Sequence, residues 1–250
     1  MTVPVVAILF VAGLLGGVAN AVAGGATLIT FPALLHSGLA PLVANASNSV
    51  ATTPGQLIAA FADRSKLPAF DGKVALALGA ALAGGAAGAW LLLLTPSDLF
   101  TRLVPALIGV ATLMFAFGKR LQGALRAAGV KLLHARPPLV GLASVYGGYF
   151  GAGLGVLLLS AIGVTGDEEL RSANALKNLV STVVSATTIV VFGASGIVSW
   201  PQTLVVLAGA ACGGWIGGRA LAVLPPAAIR ATIISIGATL TLVYAWRYWA

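Results

Sequence analysis

Charged residues are scarce in this chain of 250 residues. Asp, Glu, Lys and Arg together make up 8% of it, whereas 59% of its residues are hydrophobic. A soluble domain usually carries about 25% charged residues, so this chain has too few to cover a surface that faces water. The composition therefore excludes an ordinary soluble enzyme or binding domain, and it predicts an all-α polytopic membrane protein.

Cysteine and acidic residues are especially rare. Cys212 is the single cysteine, so an intrachain disulfide is impossible. The six acidic residues all lie in connections, and the sequence has no GxxxxGK[ST] motif to hold ATP phosphates. Without an acid or histidine in the apolar segments to activate a serine, we expect no enzyme, catalytic residue, cofactor or metal site. The net charge of +8 lies largely in one connecting segment, so it does not indicate nucleic-acid binding.

Long apolar segments predict about eight transmembrane helices, since a spanning helix needs about 20 mostly apolar residues. The first and fifth segments are too long and too rich in glycine for one straight helix, so we expect each to be broken or re-entrant. Their glycines fall in matching stretches, "GGVANAVAGGATL" and "YGGYFGAGLG". The expected spans are residues 4–35, 42–62, 74–94, 99–118, 138–162, 172–192, 200–221 and 226–246.

The two halves of the chain resemble each other at an offset of 129 residues. "ANA" at 44–46 falls on "ANA" at 173–175, Gly84-Gly85 on Gly213-Gly214, and Pro96 on Pro225. We therefore predict two homologous transmembrane repeats, residues 1–125 and 138–250, joined by a basic cytoplasmic connection at 126–137. Internal repeats are common in secondary transporters, whose substrate site lies between the halves near the bilayer midplane.

Loop charges predict the orientation. Lysine and arginine residues in 63–73 and 119–136 should face the cytoplasm, and the acidic loop 165–171 is expected at the outer face. Eight crossings then place both termini in the cytoplasm. If the broken segments are instead re-entrant, each repeat crosses an odd number of times and the halves are inverted. In that alternative 63–73 and its counterpart 192–202 lie on opposite sides.

Polar residues inside the spans occupy equivalent positions in the two repeats. Asn45, Asn48 and Ser49 lie on one helical face, and 129 residues later the same face carries Asn174, Lys177 and Asn178. A charge at the bilayer centre costs about 2.5–3.5 kcal/mol on insertion scales, and the spans offer no carboxylate to pair with it. Lys177 therefore predicts an anion site, to which N–H groups at the helix breaks would add a favourable field. There are two alternatives: Lys177 is an interfacial anchor, or the asparagines join one helix to another by hydrogen bonds.

The segments "GLLGGVANAVAGGATLITFPALLHSGLAPLVANASNSVA" at 13–51 and "YGGYFGAGLGVLLLSAIGVTGDEELRSANALKN" at 146–178 resemble the sulfite exporter TauE/SafE family of small permeases. The resemblance covers essentially the whole chain, with one departure at Ala26, where another glycine is expected. It implies export or import of small sulfur-containing or organic anions such as sulfite or sulfonates. By motif, the implied substrate-binding residues, with Ser49 added from the polar face, are Asn20, Gly24, Gly25, Asn45, Asn48, Ser49, Gly151, Gly153, Gly155, Asn174, Lys177 and Asn178.

The sequence thus predicts a secondary transporter in the cell (inner) membrane that works by alternating access, with a small anion between the repeats. Its expected partners are that anion, a coupling proton or sodium ion, and the lipid bilayer, but no nucleic acid. A passive anion channel or a non-transporting membrane subunit are the alternatives. A channel would show conductance above carrier turnover and no counterflow.

Overall fold

The computed structural model describes residues 1–23, 25–62, 64–127, 135–165, 170–220 and 226–249. Over these residues it contains helices and no strand, which confirms the all-α prediction. Gly24 of the expected site and much of the basic connection 126–137 lie outside the described residues. The helices are α1 (Val3–Ala23), α2 (Thr27–His36), α3 (Pro41–Ala51), α4 (Thr53–Ala62), α5 (Gly72–Leu94), α6 (Ser97–Ala127), α7 (Arg136–Tyr149), α8 (Leu154–Thr165), α9 (Leu170–Ser195), α10 (Trp200–Ala220) and α11 (Pro226–Trp249), with a 3-10 turn at Arg64–Lys66.

Several helices have the length and composition of membrane spans. Within the described part of the chain, four stretches are long and apolar enough to cross a bilayer: Val3–Asn20, Gly72–Leu94, Ser97–Gly118 and Arg171–Ser195. The length and composition of these helices support a multi-pass membrane protein. The full number of eight spans stays a prediction.

The first and fifth expected spans are broken where their glycines fall. α1 ends at Ala23 and α2 begins at Thr27, while α7 ends at Tyr149 and α8 begins at Leu154. At the second break Gly151 and Gly153 have φ angles of +80° and +81°. These angles lie in the left-handed region, which glycine adopts without the steric cost that a Cβ atom would bring. The glycines of "YGGYFGAGLG" therefore allow the chain to turn.

Both broken segments fold back on themselves, so neither is one straight helix. Arg136 at the start of α7 donates from Nε to Thr165 Oγ1 at the end of α8, over 3.2 Å. A straight helix would separate these residues by about 40 Å. Likewise, a Cβ atom at Gly16 would lie 2.7 Å from Thr30 Cγ2, although a straight helix would hold the two about 20 Å apart. We call α1–α2 hairpin 1 and α7–α8 hairpin 2; they match the re-entrant alternative.

Each hairpin packs through its first helix against a helix of the other half, in a parallel direction. A Cβ atom at Gly13 would overlap the carbonyl oxygen of Val206, and one at Gly17 would overlap that of Ala210, so α1 runs parallel to α10. α5 and α7 show the same relation. A Cβ atom at Gly84 would overlap the carbonyl oxygen of Gly141, and one at Gly88 would overlap that of Val145. Small residues let these helix backbones approach closely, as is common within membranes.

The remaining long helices pair in antiparallel fashion. Trp249 Nε1 donates to the Arg102 carbonyl over 2.9 Å, and Arg230 Nε donates to the Phe115 carbonyl over 2.8 Å, so α11 runs opposite to α6. α9 runs opposite to α3–α4, because the Thr182 hydroxyl donates to the Gln56 carbonyl over 3.3 Å while the Ser199 N–H, beyond the end of α9, donates to Ser47 Oγ over 3.0 Å.

These directions sort the helix ends onto two faces. We call the face where α1 begins and α11 ends the terminal face; α2, α5 and α9 also end there. The opposite face, where α4, α6, α8 and α10 end, is called the basic face. Hairpin 1 therefore has both of its ends at the terminal face, and hairpin 2 has both of its ends at the basic face.

The turns of both hairpins lie inside the molecule. A Cβ atom at Gly25 would lie 2.9 Å from Ile233, which is about 10 Å along α11 from its start. A Cβ atom at Gly153 would lie 3.3 Å from Met114 Sδ, in the middle of α6. The rings of Phe31 and Phe150 meet edge to face at 5.7 Å and join the two hairpins in the core.

Candidate functional site

The turn of hairpin 2 is held by side chains from two helices. Asn45 Nδ2, on α3, donates to the Tyr149 carbonyl at the end of α7 over 2.8 Å. The Tyr146 hydroxyl donates to the Ala152 carbonyl inside the turn over 2.7 Å. Both bonds satisfy carbonyls that the helix break leaves outside the regular ladder, so the turn has a defined shape within an apolar environment.

Lys177 lies beside the first turn of α8. A Cβ atom at Gly155 would lie 3.7 Å from Lys177 Cδ, so the absence of a side chain at Gly155 lets the lysine stem pass against the helix start. Leu154 N–H donates to Gly151 and Val156 N–H to Gly153, over 3.2 and 3.0 Å. The N-terminal end of a helix carries partial positive charge and attracts anions, and Lys177 adds a full charge at the same place.

Asn45 also presents an acceptor that has no donor among the described residues. The side chain is fully buried, and because the Tyr149 carbonyl can only accept, the bond from Nδ2 fixes which way the amide points. Asn45 Oδ1 then faces away from that bond and receives no hydrogen bond within the described chain. A buried acceptor left unpaired costs about 1–3 kcal/mol, so a ligand with an O–H or N–H group would be stabilised there.

The equivalent place in hairpin 1 is filled by the protein itself. Asn48, which occupies the position of Lys177 in the first half, accepts at Oδ1 from the Thr30 hydroxyl. Its Nδ2 donates to Thr27 Oγ1 over 3.2 Å. Both threonines lie in the first turns of α2, so Asn48 touches the same part of hairpin 1 that Lys177 touches in hairpin 2. The first half therefore has a closed neutral network where the second half has a charge.

The other predicted residues are distributed around these two turns. A Cβ atom at Gly55 would lie 2.8 Å from Asn20 Nδ2, so Asn20 packs against α4. The Ser49 hydroxyl donates to the Asn45 carbonyl over 3.1 Å, within its own helix. Asn174 is half-buried and Asn178 is buried on α9, within one turn of Lys177. Asn45, Gly151, Gly153, Gly155 and Lys177 are thus grouped at hairpin 2, whereas Asn20, Gly25 and Asn48 belong to hairpin 1.

The sequence reasoning missed a polar contact between Gln56 and Ser185. The Ser185 hydroxyl donates to Gln56 Oε1, and these residues are 129 positions apart. If an axis relates the two predicted repeats, equivalent residues can touch only close to that axis. The same offset that aligned the repeats would have identified this pair, but no sequence signal showed that the two helices cross there.

Comparison with known families covers most of the chain. A family model described as sulfite exporter TauE/SafE matches residues 9–244. The chain is 26% identical over 236 residues to the probable membrane transporter protein YfcA of Escherichia coli K12, covering 94% of this chain and 87% of that protein.

Two further relatives show similar coverage. A probable membrane transporter protein of Haemophilus influenzae is 26% identical over 239 residues, which is 96% of this chain and 94% of the relative. Probable membrane transporter protein ORF9 of a Sinorhizobium species is 28% identical over 218 residues, or 85% of this chain and 82% of the relative. No solved structure matches the chain.

Proposed function

The chain belongs to the sulfite exporter TauE/SafE family of probable membrane transporters, and from that membership we propose that it is a secondary transporter for small sulfur-containing or organic anions such as sulfite or sulfonates. The anion binds at the turn of hairpin 2, between the two halves of the chain. Binding there alternates between access from one side of the membrane and access from the other.

The observation that carries this proposal is the meeting of Lys177 with the start of α8. Two sources of positive potential, the lysine and the helix N-terminus, converge on a turn whose Gly155 offers no side chain to block approach. In apolar surroundings such potential acts at full strength on a small oxyanion, because little water screens it. Intramembrane lysines generally mark a substrate or ion pathway for this reason.

Alternating access is supported by the relation between the halves. The Gln56–Ser185 contact and the antiparallel pairing of α6 with α11 are what an axis between two inverted repeats would produce. Hairpins that enter from opposite faces fit the same plan. Inverted repeats with broken helices at the midplane are the usual architecture of a secondary transporter, which rocks one repeat against the other around the site.

The buried acceptor of Asn45 bears on the form of the substrate. A bare oxyanion would be repelled by Asn45 Oδ1, whereas an anion that keeps an O–H or N–H group would donate to it. We therefore expect hydrogen sulfite to bind better than a fully deprotonated dianion such as sulfate. In this scheme Lys177 supplies charge, and the hydrogen bonds come from the backbone of Gly153 and Gly155 and from the side chains of Asn45, Asn174 and Asn178.

The first test is thermal unfolding of the purified protein with sulfite, sulfoacetate, taurine, sulfate and thiosulfate. An anion at 100 times its Kd stabilises the folded state by about 2.7 kcal/mol, which appears as a rise of several degrees in Tm. We expect at least one anion to raise the Tm of the wild type and of Lys73→Ala, but not that of Lys177→Ala. Lys73 is the matched control, because it is an exposed lysine near the start of α5.

The same variants should then be compared in proteoliposomes loaded with unlabelled anion. A secondary transporter accelerates uptake of labelled anion when unlabelled anion is present on the opposite side. We expect this counterflow in the wild type and at least tenfold less in Lys177→Ala. An equal Tm shift in wild type and Lys177→Ala would move the site away from Lys177, and rapid uptake without counterflow would indicate a channel.

A further inference from the structure

Cationic side chains are distributed unequally between the two faces. The described arginines and lysines other than Lys177 lie near helix ends, where their positions follow from the helix directions. Only Arg102 and Arg247 lie towards the terminal face, at the start of α6 and the end of α11. Those towards the basic face are Arg64, Lys66, Lys73, Arg120, Arg136, Arg171 and Arg230.

Part of this imbalance depends on the fold. The Arg136–Thr165 bond places the end of α8, and hence the start of α9 with Arg171, at the same face as the start of α7. With a single crossing at 138–162 these residues would lie on opposite sides. The folded-back hairpin therefore adds Arg171 to a face that already carries Arg64 and Lys66.

Lysine and arginine near the ends of membrane helices remain on the cytoplasmic side, where they also meet the anionic lipid of the inner leaflet. We infer that the basic face lies against the cytoplasm and that both termini lie outside the cell. Hairpin 1 then enters the membrane from outside, and hairpin 2 enters from the cytoplasm. This orientation keeps 63–73 in the cytoplasm, as eight crossings also predict, but it moves both termini to the other side of the membrane.

In this orientation Lys177 and its counterpart Asn48 lie in different halves of the bilayer. Lys177 lies seven residues from the start of α9, about 10 Å in from the basic face, and hence in the cytoplasmic half of the bilayer. Asn48 lies seven residues from the start of α3, on the outer side. The charged turn is thus the one nearer to anions in the cytoplasm, and the neutral threonine network is nearer to the outside.

Cysteine labelling in spheroplasts tests the orientation on the full chain. In a Cys212→Ser background, Ser195→Cys places one thiol at the end of α9 on the terminal face, and Ser65→Cys places one in the 3-10 turn on the basic face. Both positions are exposed, and serine and cysteine have nearly the same size. A membrane-impermeant maleimide should label Ser195→Cys in intact spheroplasts, and should label Ser65→Cys only after permeabilisation.

Each other outcome overturns the inference in a defined way. If neither variant is labelled before permeabilisation, the arrangement with eight crossings is correct. If only Ser65→Cys is labelled, the protein sits the other way round, and labelling of both means that it inserts in two orientations. None of these results depends on transport, so the proposed function stands or falls separately.

Discussion

The side chain of Asn45 connects the two halves of the protein. Its amide ties α3, in the first half, to the turn of hairpin 2, in the second half, through the Tyr149 carbonyl. The same side chain holds a buried oxygen that no described group satisfies. Asn45 was identified from the sequence because polar residues are rare in apolar helices and usually have a structural or functional role. Which of its atoms is engaged depends on how hairpin 2 folds, and the sequence contains no local signal for that.

Replacing Asn45 by alanine should lower both stability and anion binding. Asn45→Ala leaves the Tyr149 carbonyl buried without a donor and opens a cavity at a fully buried position, which together outweigh the relief of the unpaired Oδ1. It also removes the acceptor proposed for the substrate. Thermal unfolding in detergent, with and without the anion that stabilises the wild type, measures both effects. Ser49→Ala is the control, because that hydroxyl bonds only within its own helix and its loss should change Tm little. If the two variants unfold alike, the Asn45–Tyr149 bond does not stabilise the protein.

At the scale of elements, the two halves of the chain differ where proline occurs. The expected span 42–62 is divided into α3 and α4 at Thr52, whereas its counterpart α9 is continuous from Leu170 to Ser195. Pro54 supplies the reason, since proline removes a backbone donor and crowds the preceding turn, and the equivalent position holds Val183. This difference was readable from the sequence. Similarly, the glycine-rich stretches predicted where the hairpins break, and they left open whether the segments cross or fold back.

The close packing of α5 on α7 predicts opposite effects for two glycines of one helix. At Gly88 a Cβ atom would overlap the Val145 carbonyl oxygen, while at Gly79 it would meet no described atom within 4 Å. Gly88→Ala must therefore push the helices apart, and overpacking of this kind costs about 1–3 kcal/mol. Gly79→Ala should be neutral or stabilise the protein by up to about 1 kcal/mol through helix propensity. Detergent unfolding curves measure both, and equal Tm values would show that the α5–α7 contact is looser than described.

In the whole molecule each half packs one of its helices against the other half, an arrangement that we call exchange. α1 packs most extensively on α10, and α5 packs most extensively on α7, so the largest contacts of each half are made with the other half. The sequence predicted two repeats of similar size, which suggests separate bundles. It could not predict this exchange, because the small residues that make it possible, such as Gly13 and Gly84, would serve equally well for packing within a half.

Neither half should therefore be stable alone. We expect fragments 1–131 and 132–250, expressed separately, to be degraded or to aggregate, because α1 and α7 would each expose a face that normally contacts the other fragment. Expressed together, they should copurify from the membrane through a tag on one fragment only. The intact chain carrying the same tag is the reference for yield. A half that purifies alone as a monodisperse, cooperatively unfolding protein would show that the exchange is not needed for folding.

The pairing of α1 with α10 also has a consequence for synthesis. Gly13 emerges from the ribosome nearly 200 residues before its neighbour Val206. At 5–20 residues per second, the first helix waits roughly 10–40 s for its partner. During that interval its glycine face must be covered by lipid or by the insertion machinery. A chain that stops before α10 keeps that face uncovered, so incomplete products carry a mark by which a membrane protease can distinguish them from finished ones.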